Sequence, residues 1–267
     1  MSRNPIPNPM KSDAQARMDD AIPTTQIAGW TLHEYREVGS TNDVAAELPA
    51  WHAVRASSQS GGRGRWKRTW VSDRGGLWIS AVLPVSGDPQ RWEALPLAVG
   101  LAVAELVASM GVLGVRLRWP NDLLARDRKL AGLLIERVKP GLAVVGIGVN
   151  VANHPETRDG SLAGTIARLE ELAKPSPTLN QLCQRLLEGL RRIHAEMDSH
   201  GFPVLLSRIN SLWELPRCVE LELGGKSVVG WFEGVDGVGR LGLRRGELVD
   251  WYDPAQVVQL RDIQAPF

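Results

Sequence analysis

From Gln59 to Trp70 the chain reads QSGGRGRWKRTW, with three glycines and four cationic side chains in twelve residues. Glycine lets a backbone turn tightly and approach a ligand, so that its peptide N–H groups can point at a phosphate or carboxylate. Arg63, Arg65, Lys67 and Arg68 bring positive charge, and the forked arginine donors match phosphate oxygens. Trp66 and Trp70 can stack on a flat ring. The stretch suits a loop that closes over a small anionic ligand. It also suits a grip on single-stranded nucleic acid, or a solvated basic surface.

Two further stretches carry groups able to bind or polarise. Gly39-Ser40-Thr41-Asn42-Asp43 precedes the apolar run Val44–Leu48. Small hydroxyl and amide residues in that place are a helix start. The same hydroxyls and unpaired N–H groups can also bind a polar ligand head, and local sequence does not separate the two. Residues 118–136 read RWPNDLLARDRKLAGLLIE, a strand end, a Pro120-Asn121-Asp122 turn and a second strand opened by Lys129. A lysine there either reaches for the strand's edge or is a point charge carried on a rigid element, as phosphate chemistry requires.

Other patterns are negative. LAVVGIGVNV (142–151) has Gly146 and Gly148, which leave room on one face, but it lacks the third glycine and the following helix of a dinucleotide fingerprint. Gly225-Lys226-Ser227 is no phosphate-binding P-loop, because Glu220 stands where its first glycine belongs. No GxSxG supports an esterase elbow.

The elements that must hold these groups are legible from periodicity. Trp30–Val38, His52–Ser58, Leu77–Leu83, Val115–Trp119, Leu123–Leu124, Lys129–Glu136 and Leu142–Val151 read as strands. The basic loop thus joins two strands of one sheet, and a ligand under it would lie on the sheet surface. Trp92, Leu95, Val99, Val103 and Leu106 follow helical spacing through Ala108, with alanines that permit close packing. Residues 161–172 predict a short amphipathic helix. A helix from Thr178 carries Leu182, Leu186, Leu190, Ile193 and Met197 on one face, and Phe202–Leu212 reads as helical too. After Pro216 short alternating strands separated by glycine turns predict a small antiparallel barrel. The chain divides into a disordered polar tail (1–26), a large domain (27–214) and the barrel (215–267).

Bulk properties narrow the field. The 267 residues are 43% apolar and carry a formal net charge of +1, so no global field draws the chain to nucleic acid or membrane. Cys183 and Cys218 lie in unrelated contexts and read as reduced, buried thiols of a cytoplasmic protein. The histidines are scattered without metal-ligand spacing. No apolar run spans a membrane, and the N-terminus has no secretory core.

GSTND, QSGGRGRWKRTW, RWPND…RKLAGLLIE and GIGVNV, in this order and spacing, resemble the biotin protein ligase (biotin–[acetyl-CoA carboxylase] ligase) family over most of the chain, from about Thr31. The resemblance implies an α+β fold: a mixed β-sheet flanked by helices, related to class II aminoacyl-tRNA synthetases, then a small SH3-like β-barrel. It implies ATP and biotin as substrates with Mg²⁺. Biotinyl-5′-AMP forms first, and biotin then passes to a lysine of a biotin carboxyl carrier protein domain of acetyl-CoA carboxylase. Ser40, Thr41, Asn42, Gln59, Arg63, Gly64, Arg65 and Lys129 match the biotin-contacting positions. Arg63, Arg65, Arg68, Trp70, Asn121, Lys129 and Asn150 match those for ATP and adenylate. Lys129, Arg65 and Asp122 are the candidate catalytic residues, Asp122 to orient the acceptor lysine or act as its base. The family usually has glycine where this chain has Lys67, which adds charge and removes flexibility there.

Some members add an N-terminal winged helix and repress transcription. The stretch before the first strand is too short for one, so no sequence-specific DNA binding is expected. Monomer and homodimer are both compatible with the sequence. A lipoate or octanoate ligase or transferase, a nucleic-acid-binding module and a non-catalytic biotin binder are the rival readings.

Overall fold

The computed structural model describes residues 21–85, 87–213 and 217–264. In chain order the elements are strands β1 (Ala21–Ile27) and β2 (Trp30–Val38), helix α1 (Thr41–Ala45), β3 (His52–Gln59), β4 (Leu77–Pro84), α2 (Leu95–Ala108), β5 (Val115–Arg118), β6 (Asp122–Ala125), β7 (Arg128–Lys139), β8 (Leu142–Val149), α3 (Leu169–Leu172), α4 (Leu179–His200), α5 (Leu206–Asn210), β9 (Arg217–Glu222), β10 (Ser227–Val235), β11 (Leu241–Arg245), β12 (Leu248–Tyr252) and β13 (Gln259–Asp262).

Strands β1 to β8 form one sheet in the order β1-β2-β3-β4-β8-β7-β6-β5, and β9 to β13 a second in the order β12-β11-β10-β9-β13. Within the large sheet β2 and β3 run parallel; the other neighbours are antiparallel. A parallel pair needs a crossover rather than a hairpin. Residues 39–51 make it, and α1 lies within it. The GSTND stretch is therefore set on the sheet's surface by topology.

One face of this sheet is covered by α2 and α4. Helix α2 is buried along almost all its length, and its small residues let it sit close: a Cβ added at Gly100 would lie 2.9 Å from a methyl of Leu117. Helix α4 opens with a capping box, Thr178 bonding the Gln181 N–H and Gln181 bonding back to Thr178. Its expected stripe Leu182, Leu186, Leu190, Ile193 and Met197 is buried. The opposite face carries α1, a small apolar cluster of Ala45, Val54, Val82 and Val144, and the groups described below.

Several expectations change. Residues 21–26, assigned to the tail, belong to β1, which pairs with β2 through a turn in which Ala28 (φ 53°) and Gly29 (φ 77°) are both left-handed. An alanine in that place hides the hairpin, whose usual signal is Asn-Gly or Gly-Gly. Residues 1–20 and the domain boundary at 214–215 lie outside the described residues. The helix expected over 161–172 reduces to one 3-10 turn, Gly160–Leu162, and the single turn α3. The intervening chain instead runs beside β7: the Lys129 N–H donates to the Thr165 carbonyl, and the Ala167 N–H to that of Lys129. Its apolar residues are spaced for a strand edge as well as for a helix, and the strand edge takes them.

The C-terminal sheet is SH3-like and open, with β12 and β13 as edges. Its last strand, β13, was not expected, since QLRD is short and half charged. The sheet shares one apolar core with the large domain, including Val219, Leu221, Phe232 and Leu243. The Trp119 indole N–H reaches across to the Gly239 carbonyl at 3.1 Å.

Candidate functional site

The site begins as a shelf in the sheet. Partners across β4, β8 and β7 form rungs: Trp78–Gly148–Gly132, then Ser80–Gly146–Leu134, then Val82–Val144–Glu136. Glycines at the centre of the first two rungs lower the surface. The Trp70 indole lies in the first depression, since a Cβ at Gly148 would sit 2.6 Å from its Nε1 and one at Gly132 2.9 Å from its ring. Asn42 fills the second, where a Cβ at Gly146 would collide with its carbonyl oxygen. The room expected beside Gly146 and Gly148 is thus present, and side chains use it.

A chain of hydrogen bonds runs along one end of the shelf. The Gln59 carbonyl oxygen accepts from the Thr41 N–H at 2.8 Å and the Thr41 hydroxyl at 3.0 Å. The Gln59 amide donates to the Ser72 hydroxyl at 2.8 Å. The Ser80 hydroxyl lies 2.7 Å from Thr41 Oγ1 and 2.6 Å from Asn42 Oδ1. Asn42 Nδ2 donates to Glu136 Oε2 at 2.6 Å. Ser40, Thr41 and Asn42 are buried, yet the Ser40 hydroxyl makes no cap to α1. Their polar groups face the shelf instead of the helix end.

The basic loop crosses above. It folds as a tight hairpin: Gly64 N–H to the Arg68 carbonyl at 2.8 Å and Trp70 N–H to that of Gly62 at 2.9 Å. At its tip Trp66 (φ 56°) and Lys67 (φ 57°) are both left-handed. Lys67, where the family resemblance implies glycine, therefore takes a glycine-like conformation. Arg63 pairs with Asp43 at 2.7 Å and with Glu136 at 3.1 Å, and the Asp43 hydrogen bond leads in raising its already high pKa. Arg65 reaches the C-terminal sheet, donating to the Pro254 carbonyl at 2.6 Å and the Val257 carbonyl at 3.2 Å. Burial lowers its pKa. Arg68 is exposed at the mouth.

The far wall is an ion cluster on β5, β6 and β7. Asp122 lies 2.8 Å from Lys129 Nζ and 2.8 Å from Arg118. Lys129 Nζ also sits 4.9 Å above the Trp70 ring, a cation–π distance. Burial would raise the Asp122 carboxyl, but the Lys129 and Arg118 charges and their hydrogen bonds outweigh it and hold it below the usual carboxylate range. A carboxylate so held is a weak base and a firm orienter of its two cations. The Asn121 amide donates to the Leu133 carbonyl and fixes the turn. Asn150 donates to the Lys129 carbonyl and accepts from Asn153, so it braces the backbone of Lys129.

Every candidate named from sequence, from Ser40 to Asn150, lines the same cavity of about 250 Å³. Arg118 and the wall formed by Val257, Val258, Gln259 and Leu260 were not anticipated. Nor were Ser80 and Glu136, which hold Asn42. Ser80 had a signal, a lone hydroxyl inside the apolar run LWISAVL. The C-terminal wall had none, because Pro254 stands 189 positions from the arginine it holds. Among the described residues no group of three His, Cys, Asp or Glu side chains could hold a metal ion. Both cysteines are free and buried. Burial pushes the Cys183 thiol up to about 11, so it offers no thiolate at neutral pH.

The cavity joins unlike ends. One is lined by hydroxyls and amides and suits a neutral head that both donates and accepts. The other gathers Arg65, Lys129 and Arg118 and suits anionic groups, with Trp70 between them.

The chain is similar to known proteins in sequence and in fold. A sequence model of the biotin/lipoate A/B protein ligase family matches residues 39–151. The chain is 35% identical over 248 residues to a biotin–[acetyl-CoA-carboxylase] ligase of Mycobacterium tuberculosis, covering 88% of this chain and 91% of that protein. It is 34% identical over 225 residues to the bifunctional ligase/repressor BirA of Salmonella typhimurium, covering 80% of this chain and 70% of that one. The fold superposes on the biotin protein ligase from Aquifex aeolicus in complex with biotin and ATP, with a TM-score of 0.77 and 27% identity over 87% of this chain and 99% of that one. No helix among the described residues is long and apolar enough to cross a membrane.

Proposed function

This chain belongs to the biotin protein ligase family, and on that footing we propose that it activates biotin with ATP to biotinyl-5′-AMP and transfers the biotinyl group to a lysine of a biotin carboxyl carrier protein domain of acetyl-CoA carboxylase. The observation that carries the proposal is the two-ended cavity, polar and neutral at Thr41, Asn42 and Gln59, cationic at Arg65 and Lys129. Biotin's ureido ring is neutral, with paired N–H donors and one carbonyl acceptor. Its carboxylate, at the other end, must meet the α-phosphorus of ATP.

The first step needs no protein nucleophile, because the attacking carboxylate is the substrate's own. What opposes it is repulsion between two anions, and Lys129 with the loop arginines supplies the opposing charge. The carboxylate oxygen bonds to the α-phosphorus and pyrophosphate leaves. In the second step the acceptor amine attacks the acyl carbon and AMP leaves. The loop meanwhile keeps water from the mixed anhydride. Asp122 holds Lys129 and Arg118 in place; its weak basicity argues for orienting rather than for taking the acceptor's proton. Mg²⁺ belongs with the nucleotide: the described residues make no cage for it, and such ions are commonly held by phosphates, water and one or two carboxylates.

The reading includes no repressor activity. No footprint on biotin-gene operator DNA is expected. The test of the main proposal is biotin-dependent exchange of pyrophosphate into ATP without acceptor protein. Exchange with biotin and not with lipoate or octanoate supports it. Absence of exchange in a folded protein that binds ATP overturns it.

A further inference from the structure

Asn42 Nδ2 is 2.6 Å from Glu136 Oε2, and Asn42 Oδ1 is 2.6 Å from the Ser80 hydroxyl. An asparagine amide is nearly symmetric in shape, so its orientation is decided by its partners. A carboxylate can only accept, and Arg63 on its other side also donates to it, at 3.1 and 3.3 Å. The Asn42 amide must therefore face Glu136, its short charged acceptor, with the Leu134 carbonyl a longer second one at 3.4 Å, and the carbonyl must face Ser80 and the shelf. Gly146 removes any side chain that would push Asn42 aside, and β7 carries Glu136 one rung beyond. Asn42 is 4% exposed, so water does not compensate a wrong orientation.

We propose that Glu136 is a positioning residue for ligand selection: it turns Asn42 so that a carbonyl oxygen, not an amide, faces the head of the ligand. Resting on the ligase reading above, this selects a cyclic urea, whose N–H groups donate to that oxygen. A dithiolane head, which has no N–H, leaves that oxygen with Ser80 as its one donor and its second lone pair desolvated and unmatched. Glu136 touches no substrate in this arrangement and acts through Asn42.

Exchanging the two side-chain chemistries tests it. In Asn42→Asp alone, two carboxylates face each other at hydrogen-bond distance. Biotin affinity, measured by calorimetry on the full chain, is expected to fall about tenfold or more at pH 8. It should recover toward pH 5.5, as one carboxyl takes a proton and becomes a donor. In Asn42→Asp with Glu136→Gln, the glutamine amide donates and the new carboxylate at position 42 again presents an acceptor to the shelf. Affinity is expected within about threefold of wild type and flat in pH.

A single variant that binds like wild type at pH 8 overturns the inference. So does a folded double variant that binds no better than the single one, since the ligand would then need the amide. If the single variant does not fold, the double variant decides alone: affinity within about threefold of wild type supports the inference, and a larger loss overturns it. Wild type that binds ATP but never biotin sinks the ligase reading, and the inference with it.

Discussion

Lys129 is held from every side. Asp122 takes its charge, Trp70 lies beneath it, and its backbone is bonded to Thr165 and Ala167. Such preorganisation lets one cation act without reorienting when charge develops. Lys129→Ala is expected to cost about 3–4 kcal/mol in the adenylation barrier, with the melting temperature little changed. A near-wild-type rate of pyrophosphate exchange would count against the role. Asp122→Asn acts differently, because it leaves Lys129 and Arg118 without an anion. We expect about 1.5–3 kcal/mol lost from stability at pH 7. Since the folded carboxyl is held below its unfolded value, that contribution is whole above about pH 4 and fades as pH falls further. The gap between the denaturant midpoints of the two proteins should narrow as pH falls below about 4, and a gap of unchanged size at pH 2 would refute it. Lys129 was visible in sequence because a lysine opening an apolar strand is unusual. The lone Ser80 carried a signal for the same reason in reverse. Glu136 was hidden, as a charged residue near the end of a long strand most often faces water.

The loop is the element whose behaviour the ligand should change most. Its hairpin hangs from Arg63 at one end and Arg65 near the tip, and both cations are exchanged for new partners if anions enter the cavity. Trypsin, which cuts after Arg63, Arg65, Lys67 and Arg68, should cleave there more slowly with biotin and ATP present; equal rates would argue against closure. The left-handed Lys67 gives a second test. Any L side chain bears about 1–2 kcal/mol of strain in that region and a β-branched one fits it worse still, so Lys67→Val should weaken ATP binding while biotin alone binds as before. Loss of both would mean that the loop's tip is not what was altered. Strands β2, β4, β7 and β8 were legible because apolar periodicity marks elements buried on a sheet. Residues 163–168 were not: the same apolar spacing serves an amphipathic turn or an added strand, and only the start of β7, which extends past the end of β8, decides between them.

At the scale of the molecule, the two sheets stand on one core, and their division is one of topology more than of stability. Calorimetry is expected to give a single unfolding transition; two resolved transitions would show that the C-terminal sheet folds on its own. Acid should weaken the whole. Burial, and for His33 the neighbouring charge of His52, holds His33 and His194 below the ordinary histidine pKa. The unfolded chain then takes up protons first, so stability is complete above about pH 6.5 and declines below it. His194, packed between Trp51 and Trp92, can be tested by replacement with glutamine. The drop in urea midpoint from pH 7.5 to pH 5.5 should shrink, and an unchanged drop would exclude it as a source.

Arg65 is held by the oxygen atoms of two peptide groups, at Pro254 and Val257. A peptide carbonyl is the same whatever side chain accompanies it. The letters of that turn can therefore drift over generations without loosening the grip, so long as the chain keeps its path. Ancestry would preserve this partnership as a shape and erase it as a spelling, and comparison of sequences alone would pass over it.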